Sequence, residues 1–347
     1  MMQSERERDQ SEGDRAAWTR SDGPSHLNGS SERSPESKGR EGKNGRKGRV
    51  VRLIEEIEGG GENRLGLDPN DFDPEYLREL IGRLGLLFGE RRRYFRVEIK
   101  GWENVPAAPA LIISNHSGGT TILDAWGLGY AWHTHFAMKR PIHVMAHEMV
   151  FTVHSVGRMF ARAGVLRAQP ELGQRVLGEW KRDLLVMPGG DVDVWRPYKE
   201  RYKVKFAGRT GYARLALRTR VPIVPIANAG AHETLRVLTD GAPLARFLRF
   251  PKLFRASIFP VSLAIPWGLT IGPWPHLPTP TTLRYRIGKP VMADEFLPAP
   301  GKEPTNDQVA GYDARVRAAM QELLDQLKDE DERGKWRRGW GRAWAEE

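Results

Sequence analysis

Through residues 1–63 apolar positions are sparse and without period while Ser, Gly, Glu, Arg and Asn dominate, so a disordered polar and basic tail is expected there. Residues 50–57 are a short apolar exception. The block KGREGKNGRKGR at 38–49 reads as a patch for an anionic surface or as a solvated tail. From residue 71 a helical period sets in and runs to 87, with Asp73 placed as an N-cap before Pro74 at the first helical position. Residues 80–93 carry an apolar face and close on Glu-Arg-Arg-Arg, which fits a helix on a membrane interface or an amphipathic core helix. A strand is expected over 94–99.

The next apolar run, Leu111-Ile112-Ile113, stops at Ser114-Asn115-His116, and Gly118-Gly119 turns the chain before a helix over 122–132. Strands are predicted over 142–146, 183–187, 221–226 and 283–287, and helices over 148–162, 171–180, 210–219 and 307–327. Alternation of strand and helix from 111 to 226 predicts an α/β fold, a mixed and mostly parallel sheet flanked by helices with functional loops at strand ends. Residues 246–280 are apolar and aromatic but broken by Pro260, Pro266 and Pro273, so they suit a segment dipping into one leaflet or a lid over an apolar tunnel rather than a spanning helix. Three regions follow: the tail 1–63, an α/β domain 64–300 that includes 246–280, and a C-terminal amphipathic helix with a basic tryptophan-rich tail over 301–347. In that last tail Trp336, Trp340 and Trp344 recur every four residues among arginines, a stripe suited to an anionic membrane. A disordered basic tail, or one stacking on single-stranded nucleic acid, has the same composition.

Charge and composition narrow the chemistry. The 347 residues carry a formal net charge of +10, which favours anionic lipid headgroups, phosphorylated substrates such as a coenzyme A thioester, or nucleic acid. Cysteine is absent, which removes disulfides, thiolate catalysis and cysteine-bound zinc. The charged N-terminus has no signal-peptide pattern, and no run of about 20 apolar residues is free of charge and proline, so a cytoplasmic protein, peripheral or monotopic on the membrane, is expected.

His116 stands where a buried strand ends, and Asp124 follows eight residues later, one turn into the predicted helix, so a folded-back loop brings carboxylate and imidazole together. Such a pair is a general base; a strand-end histidine that only braces a loop is the simpler alternative. Asn115 beside it is a candidate substrate contact. Gly118 and Gly119, and the second strand-to-turn unit Pro188-Gly189-Gly190, offer backbone N–H groups for an oxyanion or phosphate, though a tight structural turn looks the same. Lys203, Lys205 and Arg209 gather before the 210–219 helix as candidate phosphate contacts or solvated charges. His143, His147 and Glu148 raise a metal question, but the HExxH order and a third ligand are missing, so no metal is expected.

Taken together, NHSGG with Asp124, MPGG, GRTGYARLAL, VPIVPI and GAHE resemble the phospholipid/glycerol acyltransferase superfamily, specifically the lysophospholipid acyltransferase-like and diacylglycerol-acyltransferase-like branch with PGG in its third block. The likeness covers about 72–290. It implies His116 as base and Asp124 as its carboxylate. The family's usual spacing would place the acid at 121, here Thr121, so Asp124 serves only through a longer glycine loop. Residues 157–167 resemble the acceptor block, with Arg167 its likeliest contact; Gly189 and Val192 replace the third block's glutamate and arginine; residues 222–225 resemble the fourth, donor-side block. The resemblance implies O-acyl transfer from acyl-CoA or acyl-carrier protein as co-substrate to a glycerolipid or lysophospholipid hydroxyl. No other cofactor is expected, nor a nucleic-acid partner. The rival readings are a catalytically silent membrane-binding protein and a thioester or lipid hydrolase.

Overall fold

The structure, a computed structural model, describes residues 64–89, 94–107, 109–241, 260–272 and 276–333. The tail 1–63, the charged end at 90–93, residues 246–259 of the apolar segment, and Trp336, Trp340 and Trp344 lie outside these residues.

Strands β1 (Phe95–Lys100), β2 (Leu111–Ser114), β3 (Ile142–Ala146), β4 (Val165–Arg167), β5 (Asp183–Val186), β6 (Ile223–Ala229) and β10 (Thr281–Ile287) form a seven-stranded sheet in the order β1-β10-β6-β2-β5-β3-β4. From β6 to β4 every pairing is parallel; β10 runs antiparallel to β6 and carries β1 parallel to itself. The carboxyl ends of β6, β2, β5, β3 and β4 therefore share one edge, the edge at which open α/β sheets bind ligands.

Because side chains alternate along a strand, β2 feeds two cores. Leu111 and Ile113 pack with helices α6 (Gly211–Thr219) and α7 (Asn306–Glu332), and Ile112 packs on the opposite face with α1 (Pro74–Phe88) and α2 (Leu123–His135). The expected cap of α1 is present: the Asp73 carboxylate accepts from the Glu75 and Tyr76 amides at 3.1 and 3.0 Å and pairs with Arg162 at 2.7 Å. Helix α7 starts in a capping box, Thr305 with Gln308, and buries Val309, Tyr312, Val316, Met320 and Leu324 in the same core as β2 and β6.

Three predicted regions differ. The helix expected over 148–162 is a 3-10 turn at Glu148–Phe151 followed by α3 (His154–Arg162), because the buried Phe151 folds back onto Gly157, where a Cβ would lie 3.0 Å from the Phe151 Cα. The helix expected over 171–180 is α4 (Pro170–Gln174) continued by a π turn at Arg175–Glu179. Part of the proline-broken apolar segment, for which no regular element was expected, is a hairpin: β8 (Val261–Ala264) and β9 (Gly268–Ile271) form a small antiparallel sheet with β7 (Arg236–Thr239). Apolar content had masked the alternation there: Ser262, Ala264 and Thr270 face in while Leu263, Leu269 and Ile271 face out.

Three core histidines give the fold an acid limit. His133 on α2, His143 on β3 and His232, just after β6, are buried; burial pushes the first two down to about 4 and the third well below the ordinary 6.5. All three are neutral when folded and protonate near 6.5 when unfolded, so the stability they contribute is complete above pH 6.5 and is lost as pH falls below it. His116, raised in the folded state, acts in the opposite direction only above pH 6.5. Together the three histidines are expected to remove up to about 4 kcal/mol per pH unit. Urea midpoints at pH 7 and pH 5 measure this, and His133→Phe should flatten the dependence.

Candidate active site

β2 ends against a loop that cannot relax into ordinary geometry. Gly118 and Gly119 take φ of 96° and 65°, and Ile122, a β-branched residue, is held at φ 41°. This turn brings the first turn of α2 back against the strand end. Asp124, with no solvent exposure, places Oδ2 2.8 Å from His116 Nδ1 and 2.7 Å from the Ser117 amide, and its Oδ1 accepts from the Ala125 amide at 2.9 Å. Two backbone N–H groups fix the carboxylate in place, so His116 Nδ1 carries the ring N–H and donates to Asp124, leaving Nε2 as the acceptor. The Asp124 carbonyl in turn accepts from the Tyr285 hydroxyl at 2.8 Å, tying the helix start to β10.

Electrostatics set the base strength. Burial alone would lower the His116 pKa, but the Asp124 charge and hydrogen bond, joined by the Asp193 charge, outweigh it and raise it above the ordinary 6.5. The imidazole is 15% exposed, enough for a substrate group to reach it.

A second carboxylate fixes the backbone. Asp193, on the short helix α5 (Gly190–Val194) that follows β5, accepts the His116 amide N–H at 2.6 Å and pairs with Arg196 at 3.2 Å, both side chains fully buried. Burial raises the Asp193 pKa although the Arg196 and His116 charges oppose it. Arg196 also donates to the carbonyls of Lys203 and, at 3.4 Å, His116. Beneath them Asn228, at the end of β6, interlocks with Asn115: its amide N–H reaches Asn115 Oδ1 at 2.8 Å, and Asn115 Nδ2 donates to the Asn228 carbonyl at 3.0 Å. Asn228 Oδ1 also accepts from Ser117 Oγ at 3.1 Å.

Among known proteins, the family model described as Acyltransferase matches residues 96–229, the stretch that carries His116, Asp124, Asp193 and Asn228. An uncharacterized protein of Mycobacterium tuberculosis is 30% identical over 239 residues, 69% of this chain and 63% of that protein. A Gallus gallus protein named DGAT1/2-independent enzyme synthesizing storage lipids is 27% identical over 68% of this chain and 61% of its own length. Human 2-acylglycerol O-acyltransferase 3 is 24% identical over 47% and 44% respectively. Over residues 96–229 the chain matches the Acyltransferase family. It spans less than two thirds of the length of these curated relatives.

Within this Acyltransferase-matched stretch the remaining sequence candidates fall elsewhere. Asn115, expected to touch substrate, is fully buried and braces β2 against β6. Arg167, at the end of β4, lies three strands from β2, about 14 Å by strand spacing. It donates to the Leu65 carbonyl and pairs with Glu148, each at 2.9 Å. Arg209 staples the second glycine turn, donating to the carbonyls of Pro188 and Gly189 at 3.0 and 2.8 Å and pairing with Asp191 at 2.9 Å. The Gly190 N–H is engaged by the Met187 carbonyl at 3.2 Å, so that turn is closed on itself and Gly190 does not offer the oxyanion donor expected of it. Lys205 is paired with Glu200, and Lys203 is exposed. His143 bonds the Gly164 carbonyl through Nδ1 at 3.1 Å and Arg182 through Nε2 at 3.2 Å, while His147 Nδ1 accepts from the Met149 amide at 3.1 Å. Among the described residues no group of three His, Asp or Glu side chains is placed to share a metal ion.

Asp193, Arg196, Asn228 and Tyr285 went unassigned in the sequence. The one available signal was Asp193 and Arg196 three residues apart after the PGG turn, a spacing that puts both on one side of a helical turn.

Proposed function

We propose that this chain transfers a fatty acyl group from an acyl thioester, carried by coenzyme A or acyl-carrier protein, to a hydroxyl of a glycerolipid or lysophospholipid at a membrane surface. The observation that carries this is the buried Asp124 carboxylate 2.8 Å from His116 Nδ1, which leaves Nε2 as a base of raised pKa at the sheet edge. Nε2 takes the hydroxyl proton as the oxygen attacks the thioester carbonyl. The C–O bond forms, the C–S bond breaks, and the imidazolium returns the proton to the departing thiolate. A thiol of ordinary pKa about 8.5 leaves readily, so one base suffices for a direct transfer, and the chain has no cysteine to carry the acyl group as a thioester.

The Gly118 and Gly119 amides, on the positive-φ turn just after His116, are the proposed oxyanion donors, a contribution of about 3 kcal/mol per donor. Lys203 is the remaining sequence candidate for donor phosphates. The names of the chicken and human relatives, an enzyme synthesizing storage lipids and a 2-acylglycerol O-acyltransferase, support a glycerolipid hydroxyl as acceptor.

Purified protein incubated with radiolabelled acyl-CoA and a mixed lipid extract is expected to yield a labelled acylglycerol or phospholipid. Free thiol released without acceptor would make it a hydrolase; lipid binding with no labelled product would make it a silent binder.

A further inference from the structure

The small antiparallel sheet has two unlike faces. Its inner side faces the His116 loop and α5: Val237 of β7, Ala264 of β8 and Leu235 just before β7 cluster with Val194 and Trp195, and Ile122 of the loop packs against them. A Cβ added to Gly119 would stand 2.4 Å from Leu235 and 3.3 Å from Trp195. The outer side is apolar and open. Leu263 pairs across the hairpin with Leu269, and Val261 with Ile271. Leu263, Leu269 and Ile271 are 52%, 65% and 51% exposed, and Trp267, at the turn between the strands, is 58% exposed. Single exposed apolar residues are ordinary, but a contiguous face ending in a tryptophan is an interaction surface.

We infer that the β8–β9 hairpin is where this protein meets an anionic phospholipid bilayer, holding the His116 loop at the lipid surface. The inference rests on the reading of the site as one that takes lipid. Charge and residue kind argue for this occupant. The sequence leading into β8, residues 242–259, carries Arg246, Arg249, Lys252 and Arg255 and no acidic residue, and the chain as a whole is at +10. Aliphatic side chains and a tryptophan in a sequence rich in cations match the boundary between acyl chains and anionic headgroups. Continuity with the site argues likewise, since Ala264 of β8 shares a cluster with Ile122 of the catalytic loop.

The absence of cysteine makes a local probe clean. Full-length Leu269→Cys, labelled with an environment-sensitive thiol dye, is mixed with vesicles of phosphatidylcholine and phosphatidylglycerol, without thioester. The label is expected to shift to the blue, while the same dye on Glu103→Cys, exposed before β2 at the far edge of the sheet, does not shift. Trp267→Glu with Leu269→Glu is expected to lower vesicle partitioning about tenfold or more. Circular dichroism and the thermal midpoint of this variant check that it folds. Vesicle binding with an unshifted label at 269, or binding undiminished in the double variant, would place the membrane contact elsewhere and overturn the inference. So would a concentration-dependent dimer that the double variant dissolves, which would assign the face to a second copy. Partitioning is read without turnover and should be unchanged in His116→Ala, so failure of the transferase reading and failure of this one are distinguishable.

Discussion

His116→Ala should lower the rate of acyl transfer by roughly 10² to 10⁴-fold, the range a positioned general base contributes. Stability should change little, because Asp124 keeps its bonds to the Ser117 and Ala125 amides when the imidazole is gone. Single-turnover transfer and circular dichroism measure the two separately; activity within tenfold of the parent would remove His116 from the chemistry. Asp124→Asn is the sharper companion. Every group facing the Asp124 carboxylate is a donor: the His116 ring N–H and two amides. An asparagine must therefore turn its own NH₂ against one of them. With His116 as the proposed base the parent needs it neutral, so kcat/KM should rise with pH through a pKa above 6.5. Removing the Asp124 charge leaves burial dominant, so in Asp124→Asn a much lower rate is expected with its acid limb moved to lower pH. An unmoved limb would mean that a different group titrates.

The largest effect on stability is expected at Arg196. Leucine there leaves Asp193 buried without its partner charge and releases the carbonyls of His116 and Lys203. Breaking one side of a buried pair typically costs about 3–5 kcal/mol. Asp193, already raised by burial, will take up a proton rather than stay charged, so the cost should shrink at lower pH where that proton is available. Urea unfolding of Arg196→Leu alone and combined with Asp193→Asn tests the mechanism. The double variant should be less damaged than the single one, because no orphan charge remains. Equal losses would mean that Arg196 acts through packing alone.

Periodicity and local chemistry determined much of this molecule. The strand–helix alternation from 111 to 226 set the class, Asp73-Pro74 set the start of α1, and the placing of His116 at a strand end with Asp124 in the next helical turn named the pair that the fold brings to 2.8 Å. Each is a relation between residues close in sequence, where backbone geometry alone fixes what meets. Contacts across long separations were decided only by the tertiary structure. Asp193 reaches the His116 amide from 77 residues away, and Asn228 locks Asn115 from 113 away, because β5 and β6 flank β2 in the sheet order. Strand order also separated Arg167 from the site it was expected to join. The hairpin went unread for the same kind of reason: its inner face is defined by the elements it covers, and because Ser262 and Thr270 face in while Leu263, Leu269 and Ile271 face out, the alternation in the sequence does not say which side will be buried.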